Sequence, residues 1–356
     1  MTLDELRSQI DALDEQIVNL LNERARHAVE IGKIKHAGNT RCYVPEREQK
    51  VYERVKALTQ GPLSPDAIHD IYREVISATR ALERPIDVAF LGPPQTFSHM
   101  AALSIFGAGS TYHPMATIDD VFMAVERSRV SYGVVPAETS MGGGVIDTMD
   151  RFAASELKIV NEILLRIHLD LLANCALEEV ERVYSKAQPF VQCRNWLKVN
   201  LPNAECVETP STAEAARIAA QEDKTAAIAS RLAAETYGLA IVANDIEDAS
   251  HNYTRFFVVG HDMLEPTGND KTAILCAIKD RPGALYALLT PLADAGINLT
   301  RIESRPSRKR AWEYVFFIDI VGHAKEPRIR DALEQVSTHC KELRILGSFP
   351  RGQVEG

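Results

Sequence analysis

The sequence predicts a multidomain chain of three classes: an all-α helical, dimerising N-terminal domain, a two-lobed α/β middle domain, and a ferredoxin-like βαββαβ C-terminal domain. Three observations predict this. At 356 residues the chain is too long for one compact core. At Pro85 the apolar period changes from helical three- and four-residue steps to short runs typical of buried strands. Beyond residue 270 the repeated strand and helix units give way to a βαββαβ order.

Composition narrows the function classes. Apolar residues make up 46% and charged residues 25%, the balance of a soluble globular protein. A net charge of −9 argues against non-specific nucleic-acid binding, which needs a surplus of Lys and Arg. No apolar run is long enough to span a bilayer, and the acidic, amphipathic start lacks the features of a signal peptide. A cytoplasmic location without membrane or nucleic-acid partners is expected. Cys42, Cys175, Cys193, Cys206, Cys276 and Cys340 show no Cys-x-x-Cys spacing and no histidine at ligand spacing, so reduced thiols and no metal are expected.

Residues 1–84 are expected to be helical. Leu3, Leu6, Ile10, Leu13, Ile17, Leu20 and Leu21 recur at helical steps, and no proline precedes Pro45, which predicts one helix over 3–36. Such a long stripe needs a partner helix, expected from a second chain. Gly38-Asn39 breaks the helix; a second follows over 45–58, and Gly61-Pro62 with Ser64-Pro65 introduces a third that ends near Glu83. Arg24 and Lys35 are almost three whole turns apart and share a face, roughly 16 Å between Cα atoms. Arg7 is roughly 25 Å from Arg24 along the same helix and can join it only from an antiparallel partner chain.

Leu6-Arg7, Leu13-Asp14, Glu23-Arg24, Glu30-Ile-Gly-Lys-Ile-Lys35 and Pro45-Glu-Arg-Glu48 resemble the all-helical class of chorismate mutase. The resemblance implies that Arg7, Arg24, Lys35, Arg47, Glu48, Thr79 and Glu83 hold chorismate, with Arg7 donated by the second subunit. Rearrangement to prephenate needs no nucleophile and no proton transfer, only one held conformer and stabilised charge on the breaking ether oxygen. Arginine forks suit the two carboxylates, and Lys35 with a protonated Glu83 would meet the ether oxygen. A carboxyl donates that hydrogen bond only when neutral, so mutase activity is expected to fall as pH rises. Val44 departs from the polar residue that some members carry.

Residues 85–265 read as alternating strands and helices. A strand at 86–91, a turn at 92–95 and a helix at 96–106, capped by Thr96 or Ser98, form the first unit. A strand at 132–135, the loop Pro136 to Gly144 and a helix from Val145 form the next. Further strands are expected at 169–175, 181–185, 204–208 and 225–229, with helices at 190–200, 211–222 and 230–237. A final strand through Thr254 is expected to return to the first. Alternation along that strand puts Thr254 with Phe256 on one face and Arg255 on the other, so Arg255 is better placed to fix the strand end than to touch a ligand. Glycine-rich loops at helix starts suit carboxylates, but the loop here fits neither a Walker nor a dinucleotide fingerprint.

Asn252, Thr254, Arg255 and Phe256 resemble the signature of prephenate dehydratases, as do Thr96-Phe-Ser98, Val134-Val-Pro-Ala-Glu138, Gln188-Pro-Phe190 and Ser211-Thr-Ala213. The resemblance implies loss of carbon dioxide and water from prephenate to give phenylpyruvate, with Thr254 hydrogen-bonding the departing hydroxyl and Glu138 as polar support or alternative acid. Ser98, Thr139, Ser140 and the backbone of Gly142 to Gly144 are then expected at the carboxylates, with Asn252 and Arg255 beside them. Pro94-Gln95, Thr139 and Lys186-Ala187 stand where relatives commonly have Glu-Gly, Asn and His-Pro.

From residue 270, strands at 271–278, 297–304, 312–321 and 343–349 and helices at 283–295 and 327–340 give the βαββαβ order. Gly283-Ala-Leu-Tyr286 and Ile302-Glu-Ser-Arg-Pro306 resemble the two motifs of the ACT regulatory domain. This implies a phenylalanine site built from Gly283, Ala284, Leu285, Asn298, Glu303 and Ser304, with helix-start amides on the carboxylate.

Together the resemblances imply a cofactor-free enzyme of phenylalanine biosynthesis, acting on chorismate and prephenate, inhibited by phenylalanine, and assembled as a homodimer or dimer of dimers. Two other classes stay open on sequence alone. One is a mutase whose middle domain is a catalytically inactive, dehydratase-like ligand-binding domain, with Thr139 and Pro94-Gln95 as the discriminating residues. The other is a non-enzymatic two-lobed sensor, against which Arg7, Arg24, Lys35 and Arg47 speak.

Overall fold

The computed structural model describes residues 1–37, 43–83, 85–249, 251–278, 281–306, 314–352 and 354–355. The chain forms two compact units, Met1–Asp87 with Phe106–Thr111, and Val88–Ile105 with Tyr112–Gly356.

The first unit is helical. α1 (Leu3–Ala37) is a single rod about 50 Å long, followed by α2 (Pro45–Leu58) and α3 (Pro65–Glu83). Pro45 opens α2 where a missing N–H costs no hydrogen bond. α3 packs against both other helices. α1 is exposed as far as Glu23, and Leu3, Ile10, Leu13, Ile17 and Leu20 each leave more than half of their surface open. The expected break at Gly38-Asn39 lies outside the described residues.

In the second unit the lobes of the middle domain are interleaved in sequence. Lobe one begins with β1 (Asp87–Leu91), α4 (Phe97–Phe106), β2 (Thr111–Met115), α5 (Ile118–Glu126), β3 (Tyr132–Thr139), the short β4 (Gly143–Gly144), α6 (Ile146–Ala154) and β5 (Lys158–Arg166). The chain then crosses to lobe two: β6 (Asp170–Ala173), β7 (Arg182–Ser185), α7 (Ala187–Gln192), α8 (Arg194–Asn200), β8 (Glu205–Glu208), α9 (Thr212–Ala219), β9 (Thr225–Ala229), α10 (Arg231–Tyr237) and β10 (Ala240–Ala243). It returns through β11 (Tyr253–Gly260).

β11 runs antiparallel to β3 on one side and to β5 on the other, so the last strand of the domain sits inside the lobe-one sheet. The expectation that it returns to the first strand is thus corrected in detail: β3 separates it from β1. β2, α5, β5 and β10 were not expected, and the helix expected at 190–200 divides into α7 and α8 at Cys193. Thr96 does not cap α4 as expected; its hydroxyl donates to the carbonyls of Leu91 and Pro93 instead.

The C-terminal domain is β12 (Asp270–Ile278), α11 (Ala284–Asp294), β13 (Leu299–Pro306), β14 (Tyr314–Val321), α12 (Pro327–Thr338) and β15 (Cys340–Pro350), the expected βαββαβ order, with sheet order β13-β14-β12-β15. Alternation along β12 explains how the sheet is buried on both faces. Ile274 and Cys276 face α11 and α12, packing with Leu288, Leu292, Ile329 and Val336. Ala273 and Leu275 face the other way, and with Phe317, Leu346 and Phe349 they join Phe122, Phe152 and Phe257 of lobe one in a common core. Phe257 packs edge-on against both Phe152 and Phe349, each at 5.9 Å between ring centroids. A final strand, β16 (Val354–Glu355), pairs parallel with β5.

Candidate active site

In the helical unit, Arg24 donates to the Thr79 hydroxyl at 3.1 Å, and that hydroxyl in turn bonds the Val75 carbonyl at 2.8 Å. Glu83, one turn beyond Thr79, lies against Gly32 of α1. A Cβ on Gly32 would stand 2.9 Å from Glu83 Cγ, so the close approach of α1 and α3 here needs glycine. Arg24, Thr79 and Glu83 thus share the seam between two helices.

Glu48 is held by a residue that the sequence reading missed. Arg80, only 5% exposed, donates to Glu48 at 2.6 Å and to the Phe106 carbonyl at 2.6 Å, with its guanidinium over the rings of Tyr43 and Phe106. Arg80 lies on the buried side of α3, and an arginine among apolar positions at helical spacing was the available signal. Arg7 lies on the open part of α1 beside Asp4, and Arg47 is exposed. The Lys35 side chain lies outside the described residues.

In the middle domain, the two faces of β11 do different things. Thr254 is paired with Thr139 of β3, and Arg255 with Glu138. Successive side chains alternate, so the two threonines share one face, and Arg255 with Glu138 takes the other. The 139–144 loop is fixed at its start: Gly142 N donates to the Thr139 hydroxyl at 2.9 Å and to the Thr139 carbonyl at 3.3 Å, and Ser140 exchanges hydrogen bonds with the Tyr253 backbone at 2.9 and 3.0 Å. Ser98 is buried at the first turn of α4. The lobes meet nearby, where the Ser230 hydroxyl donates to the Gln95 carbonyl at 3.3 Å.

Asn252 is engaged elsewhere. It is 2% exposed, its amide donates to the Ile167 carbonyl, and its Oδ1 accepts from Gln192 at 2.9 Å, so it ties the two interlobe crossovers to α7. Near the same crossovers, His168, Asp245 and Glu247 place ligand atoms within 4.8 Å of one another, the one donor set for a cation among the described residues. Here His168 is hydrogen-bonded to Asp245, and Glu247 accepts from the Leu169 amide.

On the opposite face, Arg255 is 6% exposed and lies between Glu162 of β5 and Asp319 of β14, with Nε to Glu162 at 2.7 Å and a terminal nitrogen to Asp319 at 2.5 Å. Lys271 of β12 meets the second oxygen of Glu162 at 2.9 Å, and Gly352 N donates to that oxygen at 2.9 Å. Burial pushes the Glu162 carboxyl upward, but Arg255 and Lys271 outweigh it and hold the group below the usual carboxylate range. Burial likewise weakens the Arg255 cation, and Asp319 with Glu162 more than restores it. Glu138 is 3.6 Å from Arg255 and 3.4 Å from Arg301. A cavity of about 250 Å³ opens on this side, lined by Glu138, Ser140, Leu164, Tyr253, Arg255, Lys271 and Thr300, so the structure places Ser140 with Glu138 and not with Thr139. Because Tyr253 and Arg255 point into it, it is not the space that Thr254 faces, and the structure does not bring Glu138 to Thr254.

In the C-terminal domain, Gly283 caps α11 in the left-handed conformation, φ 76°, which only glycine adopts without strain. Ala284 is buried, Leu285 packs at the helix core, and Asn298 and Ser304 are exposed. Glu303 is held by Arg301 and its carboxylate fills the space where a Cβ on Gly144 would stand. Glu162, Lys271, Arg301 and Asp319 were missed by sequence reasoning. Their signal was a charge inside an apolar strand, plainest in the run Tyr314–Val321 around Asp319.

Comparison with known proteins agrees with this arrangement in chain order. Residues 6–84 match chorismate mutase type II, residues 88–264 prephenate dehydratase, and residues 272–338 the ACT domain. The chain is 47% identical over 358 residues to the bifunctional chorismate mutase/prephenate dehydratase of Aquifex aeolicus, covering 99% of both proteins. Among solved structures, the prephenate dehydratase of Arthrobacter aurescens in complex with L-Phe superposes with a TM-score of 0.70 at 35% identity, covering 75% of this chain and 90% of that one. The prephenate dehydratase of Staphylococcus aureus gives 0.67 at 28% identity, covering 74% and 100%.

Proposed function

The chain belongs to the bifunctional chorismate mutase/prephenate dehydratases, with an ACT domain behind the two enzymes, and on that premise we propose how its residues divide the work. It converts chorismate to prephenate and prephenate to phenylpyruvate, under feedback by phenylalanine. The observation that carries this is the unbroken match to a bifunctional relative over 99% of the chain. We assign the mutase to residues 1–84, the dehydratase to 85–265 and the ACT domain to 270–356.

Arg24, Thr79 and Glu83 form the part of the mutase site that one chain supplies, with Lys35, Arg47 and Glu48. The open stripe on α1 supports a homodimer in which the partner's α1 covers it and brings its copy of Arg7 to Arg24. Chorismate is dianionic, so the cations hold the conformer and the Glu83 carboxyl hydrogen-bonds the ether oxygen.

In the dehydratase, Thr254 faces the interlobe space and donates to the hydroxyl that leaves prephenate. Thr139, Ser98 and the glycine loop hold the carboxylates, while Ser140, on the Arg255 side, fixes the loop to Tyr253. Phenylalanine binds at the ACT domain around Gly283, Ala284, Leu285, Asn298 and Ser304. The test is phenylpyruvate formation from purified prephenate, with and without phenylalanine. Turnover that phenylalanine suppresses supports the dehydratase and ACT parts of the reading, and consumption of chorismate by the same protein supports the mutase part. Consumption of chorismate with no turnover of prephenate would leave a mutase carrying an inactive binding domain.

A further inference from the structure

Arg255 follows Thr254 directly in β11, yet one of its two carboxylate partners belongs to a different domain. The dehydratase supplies Arg255 and Glu162; the ACT domain supplies Lys271 and Asp319. These four side chains make a buried quartet of two positive and two negative charges, crossed so that each cation meets the other domain's carboxylate: Arg255 with Asp319, Lys271 with Glu162. Glu162 and Asp319 are 3% and 2% exposed, and Lys271 9%.

The placement is restrictive. Arg255 lies across from Glu138 in β3 and from Leu164 in β5, so its backbone is fixed by two ladders, but the pairing with β3 shifts register between Arg255 and Phe256. At such a shift the ladder alone fixes the strand less firmly. The guanidinium, pulled to the far side by Glu162 and Asp319 and stacked on the Phe257 ring at 4.6 Å, supplies the missing restraint one residue from the Thr254 hydroxyl. A third carboxylate, Glu138, stands 3.6 Å away, and its side chain is 38% exposed. Without Asp319, Arg255 keeps Glu162, but the terminal nitrogen that met Asp319 has only that more solvated carboxylate left, and the hold on the strand end loosens.

We propose that Asp319, carried by the ACT domain, is a positioning residue for the dehydratase reaction, acting through Arg255 to set the Thr254 hydroxyl. It touches no substrate. It fixes a reacting group whose displacement by about 1 Å can cost on the order of 100-fold in rate. The inference rests on the assignment of prephenate dehydration to the middle domain.

The test uses the full chain without phenylalanine, with prephenate as substrate and mutase activity read on the same preparation. Asp319→Asn is expected to lower dehydratase kcat about tenfold while KM changes less than about twofold, with the mutase unchanged. Asp319→Glu, which keeps the charge, is expected to regain part of the loss. The double variant Lys271→Gln with Asp319→Asn removes one charge of each sign and leaves Arg255 paired with Glu162. It is expected to melt close to wild type and still turn over about tenfold slowly, which separates positioning from the stability of a balanced buried network. Wild-type kcat in the folded double variant overturns the inference, and this holds even if Asp319→Asn alone does not fold. A wild type that does not consume prephenate sinks the functional reading beneath it as well, so the two failures are distinguishable.

Discussion

Thr254 and Thr139 lie directly opposite each other on the antiparallel strands β11 and β3, on the face away from Arg255 and Glu138. Two threonine side chains from neighbouring strands therefore project on one face at the base of the glycine loop. Thr139 accepts from Gly142 N and keeps its own O–H to donate, as the proposed carboxylate contact requires, while Thr254 is the hydroxyl proposed for the leaving group.

Thr254→Ala is expected to lower dehydratase kcat by about a hundredfold or more, and Thr254→Ser to keep much of it. The mutase rate of the same protein should not move. Steady-state rates with each substrate decide it, and a Thr254→Ala enzyme with ordinary prephenate turnover would remove Thr254 from the chemistry.

Thr139→Ala removes the hydroxyl acceptor and leaves Gly142 N only its longer bond to the Thr139 carbonyl, which loosens the 139–144 loop, so kcat/KM for prephenate is expected to fall about tenfold, mainly through KM. Thr139→Ser keeps the acceptor and should stay near wild type. Equal losses in both variants would mean that the methyl group matters rather than the loop hydrogen bond.

Arg24→Ala removes a substrate cation and leaves Thr79 with its backbone partner Val75, so mutase turnover should collapse by a factor of about 100 to 1,000 with helicity intact. Far-UV circular dichroism and chorismate consumption, measured together, check this. Loss of helical signal would place Arg24 in folding instead.

Glu83→Gln tests the hydrogen-bond donor itself. The amide carries N–H donors, so the variant is expected to keep mutase turnover within about tenfold, whereas Glu83→Ala, which has no donor, is expected to lose about a hundredfold. Equal rates in the alanine variant and the wild type would exclude Glu83 as the donor.

Glu162 gives a stability prediction with a definite sign. Its carboxyl is held below the ordinary range in the folded chain, so its contribution is present above the unfolded carboxylate range and is lost as pH falls through the folded value. Melting temperature should drop on acidification. Glu162→Gln, which breaks a buried pair, should cost about 3–5 kcal/mol at neutral pH and show a weaker acid dependence. Parallel acid curves for the two proteins would contradict the assignment.

Much of this was legible in sequence because periodicity reports burial on one face. α1, α2 and α3 carry long apolar stripes with proline and glycine punctuation, and their bounds follow closely. The C-terminal βαββαβ order was legible for the same reason. β5 was not: in Lys158–Arg166 buried positions come in pairs, because the strand lies between β11 and β16 and is covered on both faces. Its single buried acid, Glu162, belongs to a cation in β11 and another in β12, and no local pattern announces a partner so distant in sequence. The alternation around Thr254 did foretell the side that Arg255 takes, but not that Glu138 takes the same one. Neither the role of Asn252 in tying the crossovers nor the contact of Glu303 with Gly144 has any local signature.

The late return of β11 has a consequence for synthesis. β3 and β5 have both emerged by residue 166, yet the strand that joins them is not translated until all of lobe two has been made. Until then the nascent chain presents one open edge of β3 and both edges of β5, whose other neighbour β16 comes later still, the kind of surface that captures other chains. Ribosome-bound chains stalled between residues 170 and 250 should therefore depend on holdase chaperones, and that dependence should fall once residue 260 clears the exit tunnel. A codon-level slowdown within lobe two would lengthen the vulnerable interval, whereas one within the C-terminal domain would not.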